Sequence, residues 1–121
     1  MPVNILEKFD LFDDQWTPKI IGELNGQQLK LAKVQGEFVW HDHAEEDELF
    51  LVYRGTLHLD FRDGTTVTLR PGEFHIVPRG VEHRPRTVNG EEVWLMLIEP
   101  AATKHTGDVR DEMTVDKCEW I

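Results

Sequence analysis

Asn25-Gly26, Asp63-Gly64 and Asn89-Gly90 each stand beside short runs rich in apolar and β-branched residues. No other feature restricts the fold of this chain as strongly. Asn, Asp and Gly tolerate positive φ, so such a pair closes a two-residue turn whose twist matches antiparallel strands. The first pair separates residues 19–24 from 29–34, and the second separates 57–61 from 65–69. The third precedes 93–98. Pro71-Gly72 and Pro78-Arg79-Gly80 bracket one further run, 74–77. The spacing predicts about eight short strands joined by turns, an all-β sandwich or barrel. One helix is expected, where Ile5, Phe9, Phe12 and Trp16 recur at helical spacing and predict a short N-terminal cap. After Pro100 the chain is polar and irregular. It ends in Trp120-Ile121, a pair too apolar to dangle, which is expected to dock on the barrel or on a partner.

The chain has 121 residues, the size of one domain that buries a core without staples. Residues 1–121 are therefore expected to be a single domain. Cys118 is the lone cysteine, so no internal disulfide is available, and a reducing compartment, the cytoplasm, is expected. The start, MPVNILEKFD, carries no apolar signal segment. The longest apolar run, 93–98, is too short to span a bilayer. Lys and Arg total 13 against 23 Asp and Glu, a formal net charge of −10. That balance repels nucleic-acid backbones and anionic lipid, so neither nucleic acid nor membrane is an expected partner.

The chemistry concentrates in WHDHAEEDE, residues 40–48, which runs straight into the apolar LFLVY. Strand side chains alternate between faces, so His41 and His43 point the same way. Glu48 shares a face with Phe50, Val52 and Arg54, and Leu49, Leu51 and Tyr53 take the other. Both faces are apolar, as are both faces of 93–98, and this predicts a homodimer. His83 follows the turn Pro78-Arg79-Gly80, which can swing it back toward the histidine pair. Imidazole nitrogen and carboxylate oxygen suit Fe, Mn, Ni, Zn or Cu, so one divalent transition metal ion is expected. Three neutral histidines and one carboxylate can leave a position open for a small-molecule ligand. Asp47 is an alternative to Glu48, but Glu48 leads directly into the strand. Glu45 and Glu46 read as solvated rim, His75 as a core or rim histidine, and His58 and His105 as surface. Trp40, Phe50, Val52, Trp94 and Met96 are candidates for a substrate pocket, although aromatics on strands more often belong to a core. No Gly-x-Ser-x-Gly or Cys–His arrangement points to nucleophilic catalysis.

Two segments carry a resemblance. Gly36-EFVW-His41-Asp-His43-AEED-Glu48-LFLVYR-Gly55 resembles the first cupin motif, about 36–55, and Gly72-EFHIV-Pro78-Arg-Gly80-VE-His83 resembles the second, about 72–87. The resemblance implies a double-stranded β-helix, the jelly-roll barrel of the cupin superfamily. By position, it implies a metal held by His41, His43, Glu48 and His83. Trp16-Thr17-Pro18, Ile98-Glu99-Pro100 and Thr106-Gly107-Asp108 are similar to segments of a group of small single-domain cupins. Two departures are visible: four residues, not five, separate Gly36 from His41, and Thr87 stands where the second motif usually ends in Asn. Neither falls on a ligand position. The expected function is that of a metalloenzyme acting on a small oxygen-bearing molecule, with isomerase- or dioxygenase-like chemistry. The alternative is a non-catalytic module that binds a small ligand.

Overall fold

A computed structural model describes residues 1–121. The elements follow in the order α1 (Ile5–Phe9), β1 (Lys19–Leu24), β2 (Gln27–Val34), β3 (Glu48–Arg54), β4 (Leu57–Phe61), β5 (Thr66–Leu69), β6 (Phe74–Val77), β7 (His83–Arg86), β8 (Val93–Pro100) and β9 (Glu119–Trp120). One sheet has the order β6-β3-β8-β2-β1-β9 and the other β5-β4-β7. Together they make the all-β jelly-roll barrel. The turn chemistry explains the first hairpin. Asn25 and Gly26 have φ of 52° and 78°, and Leu24 pairs with Gln27 across them. A Cβ at Gly26 would meet nothing, so the conformation, not crowding, calls for glycine there.

Two-residue alternation sorts the strands into an inner and an outer face. Ala32 and Val34, Phe50 and Val52, and Leu95 and Leu97 face inward and join Leu57, Leu59, Leu69 and Val77 in one core. Leu31 and Met96, partners across β2 and β8, face outward. There the N-terminal segment covers them with Phe9 and Phe12. The Phe9 ring stacks on Trp94 with centroids 4.9 Å apart. Phe9 is fully buried, which stabilises the covering segment by about 2–3 kcal/mol.

The helix is shorter than its apolar spacing predicts. It spans Ile5–Phe9, with Glu7 N–H donating to the Asn4 side chain at 3.0 Å as its N-cap. Trp16 is not helical; its φ is 57°. Pro18 disfavours helix at the preceding residue, and the Trp16 indole turns inward to stack on Phe38 at 4.7 Å. A second difference concerns the histidine pair. Residues 36–47 form no regular strand, only bridges from Glu37 to Arg86 and from His41 to His83. Conversely β7, which contains Pro85, is a strand. A proline is tolerated because β7 is an edge of its sheet. The chain end docks on the barrel: β9 pairs in parallel with β1, and Ile121 N–H donates to Ile20 O at 3.0 Å.

Asp60 anchors the second motif. It accepts from Arg86 Nε at 2.6 Å, Arg84 Nη2 at 2.9 Å and Thr66 Oγ1 at 2.9 Å, so it ties β4 to both β5 and β7. Burial pushes its carboxyl up, but the hydrogen bonds from Arg86, Arg84 and Thr66 outweigh this, and the pKa falls from 3.8 to about 2. A depressed folded pKa contributes stability above the unfolded value and loses it as pH falls through the folded one. Asp60→Asn is therefore expected to cost about 2 kcal/mol at neutral pH. In paired thermal melts the gap between variant and wild type should narrow from pH 4 down to pH 2. A gap unchanged across that range would contradict this reading.

Candidate metal centre

His41 and His83 form a reciprocal backbone pair: His41 N–H donates to His83 O at 3.1 Å and His83 N–H to His41 O at 2.9 Å. Gly80 N–H donates to His43 O at 2.8 Å. The two motifs, far apart in sequence, are thus sewn together at the histidines. Glu48, the first residue of β3, reaches in from the sheet. His43 Nε2 and His83 Nε2 each lie 3.3 Å from Glu48 Oε1. One ligand atom from each of His41, His43, Glu48 and His83 fits within 4.8 Å of the others, and all four residues are buried.

The local hydrogen bonds choose the ring atoms. His41 Nδ1 lies 2.9 Å from Val39 O, and His83 Nδ1 lies 2.9 Å from Val81 O. A carbonyl oxygen only accepts, so both Nδ1 atoms carry the proton and both Nε2 atoms keep a free lone pair. His83 Nε2, both ring nitrogens of His43 and Glu48 Oε1 are buried without a hydrogen-bond partner. Four such orphan atoms in one place would cost several kcal/mol. A divalent cation at their point of convergence satisfies three of them at once, so these residues fit a metal, and His41, His43, Glu48 and His83 could hold it. The protonation states of His41 and Glu48 agree with this. Burial and the neighbouring His83 lower the His41 pKa to about 4, leaving it neutral. Burial raises the Glu48 carboxyl, but the close approach of Glu99, His43 and His83 outweighs it and holds the group well below the usual carboxylate range. Burial lowers His43, yet Glu48 more than compensates and its net shift is upward.

Asp47, the alternative ligand, points elsewhere. It is exposed and accepts the Arg79 N–H at 2.9 Å. Glu45 is exposed and Glu46 half-buried. His75 packs edge-on against Phe61 with centroids 6.0 Å apart, and His58 Nδ1 meets Thr68 Oγ1 at 3.2 Å. Neither reaches the cluster.

A cavity of about 40 Å³ opens beside the four residues, lined by His41, Glu48, Glu99 and His105 among largely apolar neighbours. Phe50 lines it, as expected. The other pocket candidates do not. Trp94 and Met96 lie on the outer face of β8 with Phe9, because residues 95 and 97 take the inward positions and the alternation leaves 94 and 96 outside. Trp40 lies outside the cavity, with the Arg62 and Arg84 guanidiniums 4.0 and 5.1 Å from its ring centroid. It is one residue from His41 in an extended segment, so it points the opposite way. Val52 is buried in the core and does not line the cavity.

Three residues at the site escaped the sequence reading. Lys30 Nζ lies 2.8 Å from Glu99 Oε1, both side chains being buried, and Glu99 Oε2 has no hydrogen-bond partner. Burial and the charge of Glu48 raise the Glu99 carboxyl well above its ordinary value, while Lys30 draws it back. The two carboxyls thus settle into unlike states, Glu48 ionised and Glu99 inclined to hold a proton. Parity carries a signal for this pair: Lys30 shares a face with Ala32 and Val34, and Glu99 with Leu95 and Leu97. Two charges facing inward on apolar strands imply a pair. His105, expected on the surface, is half-buried and lines the cavity instead; it lies in the irregular tail, where no periodicity indicates which way a side chain faces.

The cupin-domain family model matches residues 29–107. The chain is 50% identical to a cupin-2 domain protein from Shewanella frigidimarina NCIMB 400, over 81% of this chain and 93% of that one, with a TM-score of 0.77. It is 35% identical to the protein NMB1881 from Neisseria meningitidis, over 84% of this chain and all (100%) of the other, with a TM-score of 0.75. It is also 40% identical over 67 residues to the uncharacterised protein YdbB of Bacillus subtilis (strain 168), a match covering 55% of this chain. The chain spans 59% of the length of that curated relative. With the matched region including both histidine-bearing segments, the chain belongs to the cupin family.

Proposed function

We propose that this protein is a metal-dependent enzyme acting on a small oxygen-bearing molecule, with His41, His43, Glu48 and His83 as the ligands. The observation that carries the reading is the set of orphaned buried donors converging beside a cavity. A divalent ion bound there would supply Lewis acidity toward a carbonyl or enolate oxygen. The chain's own residues do the rest. His41 and His83 are held by their Nδ1–H bonds to backbone carbonyls. Phe50 and Leu97 exclude water from the apolar side. The Lys30–Glu99 pair supplies a proton-holding carboxyl at the cavity wall beside Glu48. A pure binding module would need the ligand set and the apolar wall but would have no use for a second buried carboxyl at the same place. That favours isomerase- or dioxygenase-like chemistry.

Metal analysis of protein purified without chelator, followed by turnover assays on keto acids, diketones, catechols and sugar phosphates, tests this. Stoichiometric metal with conversion of one compound class is expected. Tight binding with the compound recovered unchanged would establish the binding module instead. No helix is long and apolar enough to cross a membrane, and the lone half-buried thiol of Cys118 suits a reducing compartment such as the cytoplasm.

The homodimer belongs to the same proposal. Phe74 and Ile76 on the edge strand β6 are 59% and 48% exposed and adjoin Leu49 and Leu51, their partners on β3. This is the part of the outer sheet face that the N-terminal segment leaves bare. Light scattering is expected to give twice the chain mass, and Phe74→Glu with Ile76→Glu to give the single mass. A wild type that runs as a monomer would dispose of the dimer.

A further inference from the structure

Thr106-Gly107-Asp108 docks the C-terminal segment onto the loop that carries two of the four ligands. Gly107 has φ of 59°, and a Cβ there would lie 2.0 Å from Asp42 O. Asp42 sits between His41 and His43. No other residue than glycine fits that contact. Thr106 is fully buried, with its hydroxyl against Thr114 Oγ1 at 2.8 Å and donating to Val109 O. This clamp leaves the preceding residue, His105, no freedom to stay on the surface. Its ring lines the cavity and packs 4.9 Å from the Phe38 ring.

The ring's polarity follows from one hydrogen bond. Val115 N–H donates to His105 Nδ1 at 2.9 Å. A nitrogen that accepts carries no proton, so in the neutral ring the proton is on Nε2. Burial lowers the His105 pKa to about 4, which keeps the ring neutral at physiological pH. Nε2–H is then a donor without a partner in the chain, on a ring that forms part of the cavity wall. The cavity has no lysine or arginine in its lining, and its volume is about 40 Å³. A phosphate group would find no basic side chain there to offset its charge, and only a few non-hydrogen atoms fit without side-chain movement.

We infer that His105 is a ligand-contacting residue: its Nε2–H donates to an oxygen of a small, unphosphorylated carbonyl or hydroxyl compound held at the metal. This rests on the metal-dependent reading above. It gives the C-terminal segment a task, to bring a fixed-tautomer donor to the site that the two motifs build. It also gives the molecule a specificity element that neither motif contains.

Acetohydroxamate is a suitable probe, being small and presenting two adjacent oxygens. Zinc content is measured first, then acetohydroxamate is titrated calorimetrically into the zinc-loaded full chain. His105→Ala is expected to weaken binding at least tenfold with unchanged zinc stoichiometry, and His105→Gln, which keeps an N–H donor, to recover part of the loss. Nitrogen-15 NMR of histidine-labelled wild type should show Nε2 of His105 protonated and Nδ1 bare, with Nε2 shifting as acetohydroxamate is added. That measurement needs no variant and stands even if His105→Ala fails to fold. Inorganic phosphate is expected to bind more weakly than acetohydroxamate. Binding by His105→Ala within twofold of wild type, a protonated Nδ1, a zinc-loaded wild type that ignores the probe, or tighter binding of phosphate would each overturn the inference. A wild type that takes up no zinc would remove the metal reading itself, and this role with it.

Discussion

Replacing His83 by alanine is expected to lower metal affinity by about 10²–10³-fold while leaving the barrel folded. A four-ligand site is worth roughly 10–16 kcal/mol of apparent binding free energy, so one ligand in four is worth roughly 3 kcal/mol. His83 is the informative choice because it comes alone from the second motif. The other three ligands lie within one short segment and could gather for local reasons. His83 Nε2 is fully buried, has its other nitrogen tied to Val81 O, and faces Glu48 Oε1 at 3.3 Å. Competition with a chromophoric chelator measures the affinity, and circular dichroism checks the fold. Metal should also raise the melting temperature of wild type and not of the variant. Asp47→Asn is the matched control. Its carboxylate is engaged with Arg79 N–H, so metal affinity is expected to stay within about twofold. If His83→Ala keeps its metal and Asp47→Asn loses it, the ligand set is wrongly drawn.

Lys30→Met is expected to destabilise the fold by roughly 3 kcal/mol, the lower end of the range for stranding one member of a buried pair. Lys30 and Glu99 are partners at 2.8 Å, with side chains 5% and 4% exposed. Without the ammonium, which draws its pKa back down, Glu99 stays buried beside the ionised Glu48 and holds its proton more firmly still. That proton sets the low estimate and gives the variant a pH signature. A carboxyl whose folded pKa lies above its unfolded value holds an extra proton in the native state, so stability falls as pH rises. The cost of Lys30→Met should therefore grow from pH 5 to pH 8 in urea melts. Adding Glu99→Leu should restore most of the loss, since an apolar pair of similar volume can replace a buried ion pair without penalty. A Lys30→Met variant as stable as wild type at pH 8 would mean that the pair contributes nothing.

The Glu99 position also shows how far parity alone can be carried. Antiparallel register sets Lys30 opposite Leu97 and Gln28 opposite Glu99, so the Lys30–Glu99 contact is a diagonal across two strands. Alternation along each strand says that both side chains point inward. Only the register says that they meet.

Turn pairs, strand alternation and the two histidine-bearing segments could be read directly from the chain. They depend on residues close in sequence, and local backbone preferences act at that range. The positive φ of Asn25 and Gly26 and the inward run of Phe50 and Val52 are of this kind. The likeness of 36–55 and of 72–87 to the cupin motifs was legible within each segment as well, whereas the meeting of His83 with His41, His43 and Glu48 rests on the backbone pairing between the two segments. Tertiary structure decided which face of β8 lines the cavity. The sequence offered Trp94 and Met96, while the packing of Phe9 and Phe12 made theirs the outer face and gave the inner one to Leu95 and Leu97. It decided too that Trp16 leaves the helix to stack on Phe38, that Glu99 is held by Lys30, and that His105 is pressed into the cavity by Gly107 against Asp42. Each of these is settled by contact between segments tens of residues apart. At that distance the outcome rests on which surfaces fill the available space and which buried polar atoms find partners, and periodicity within one segment carries no information about either.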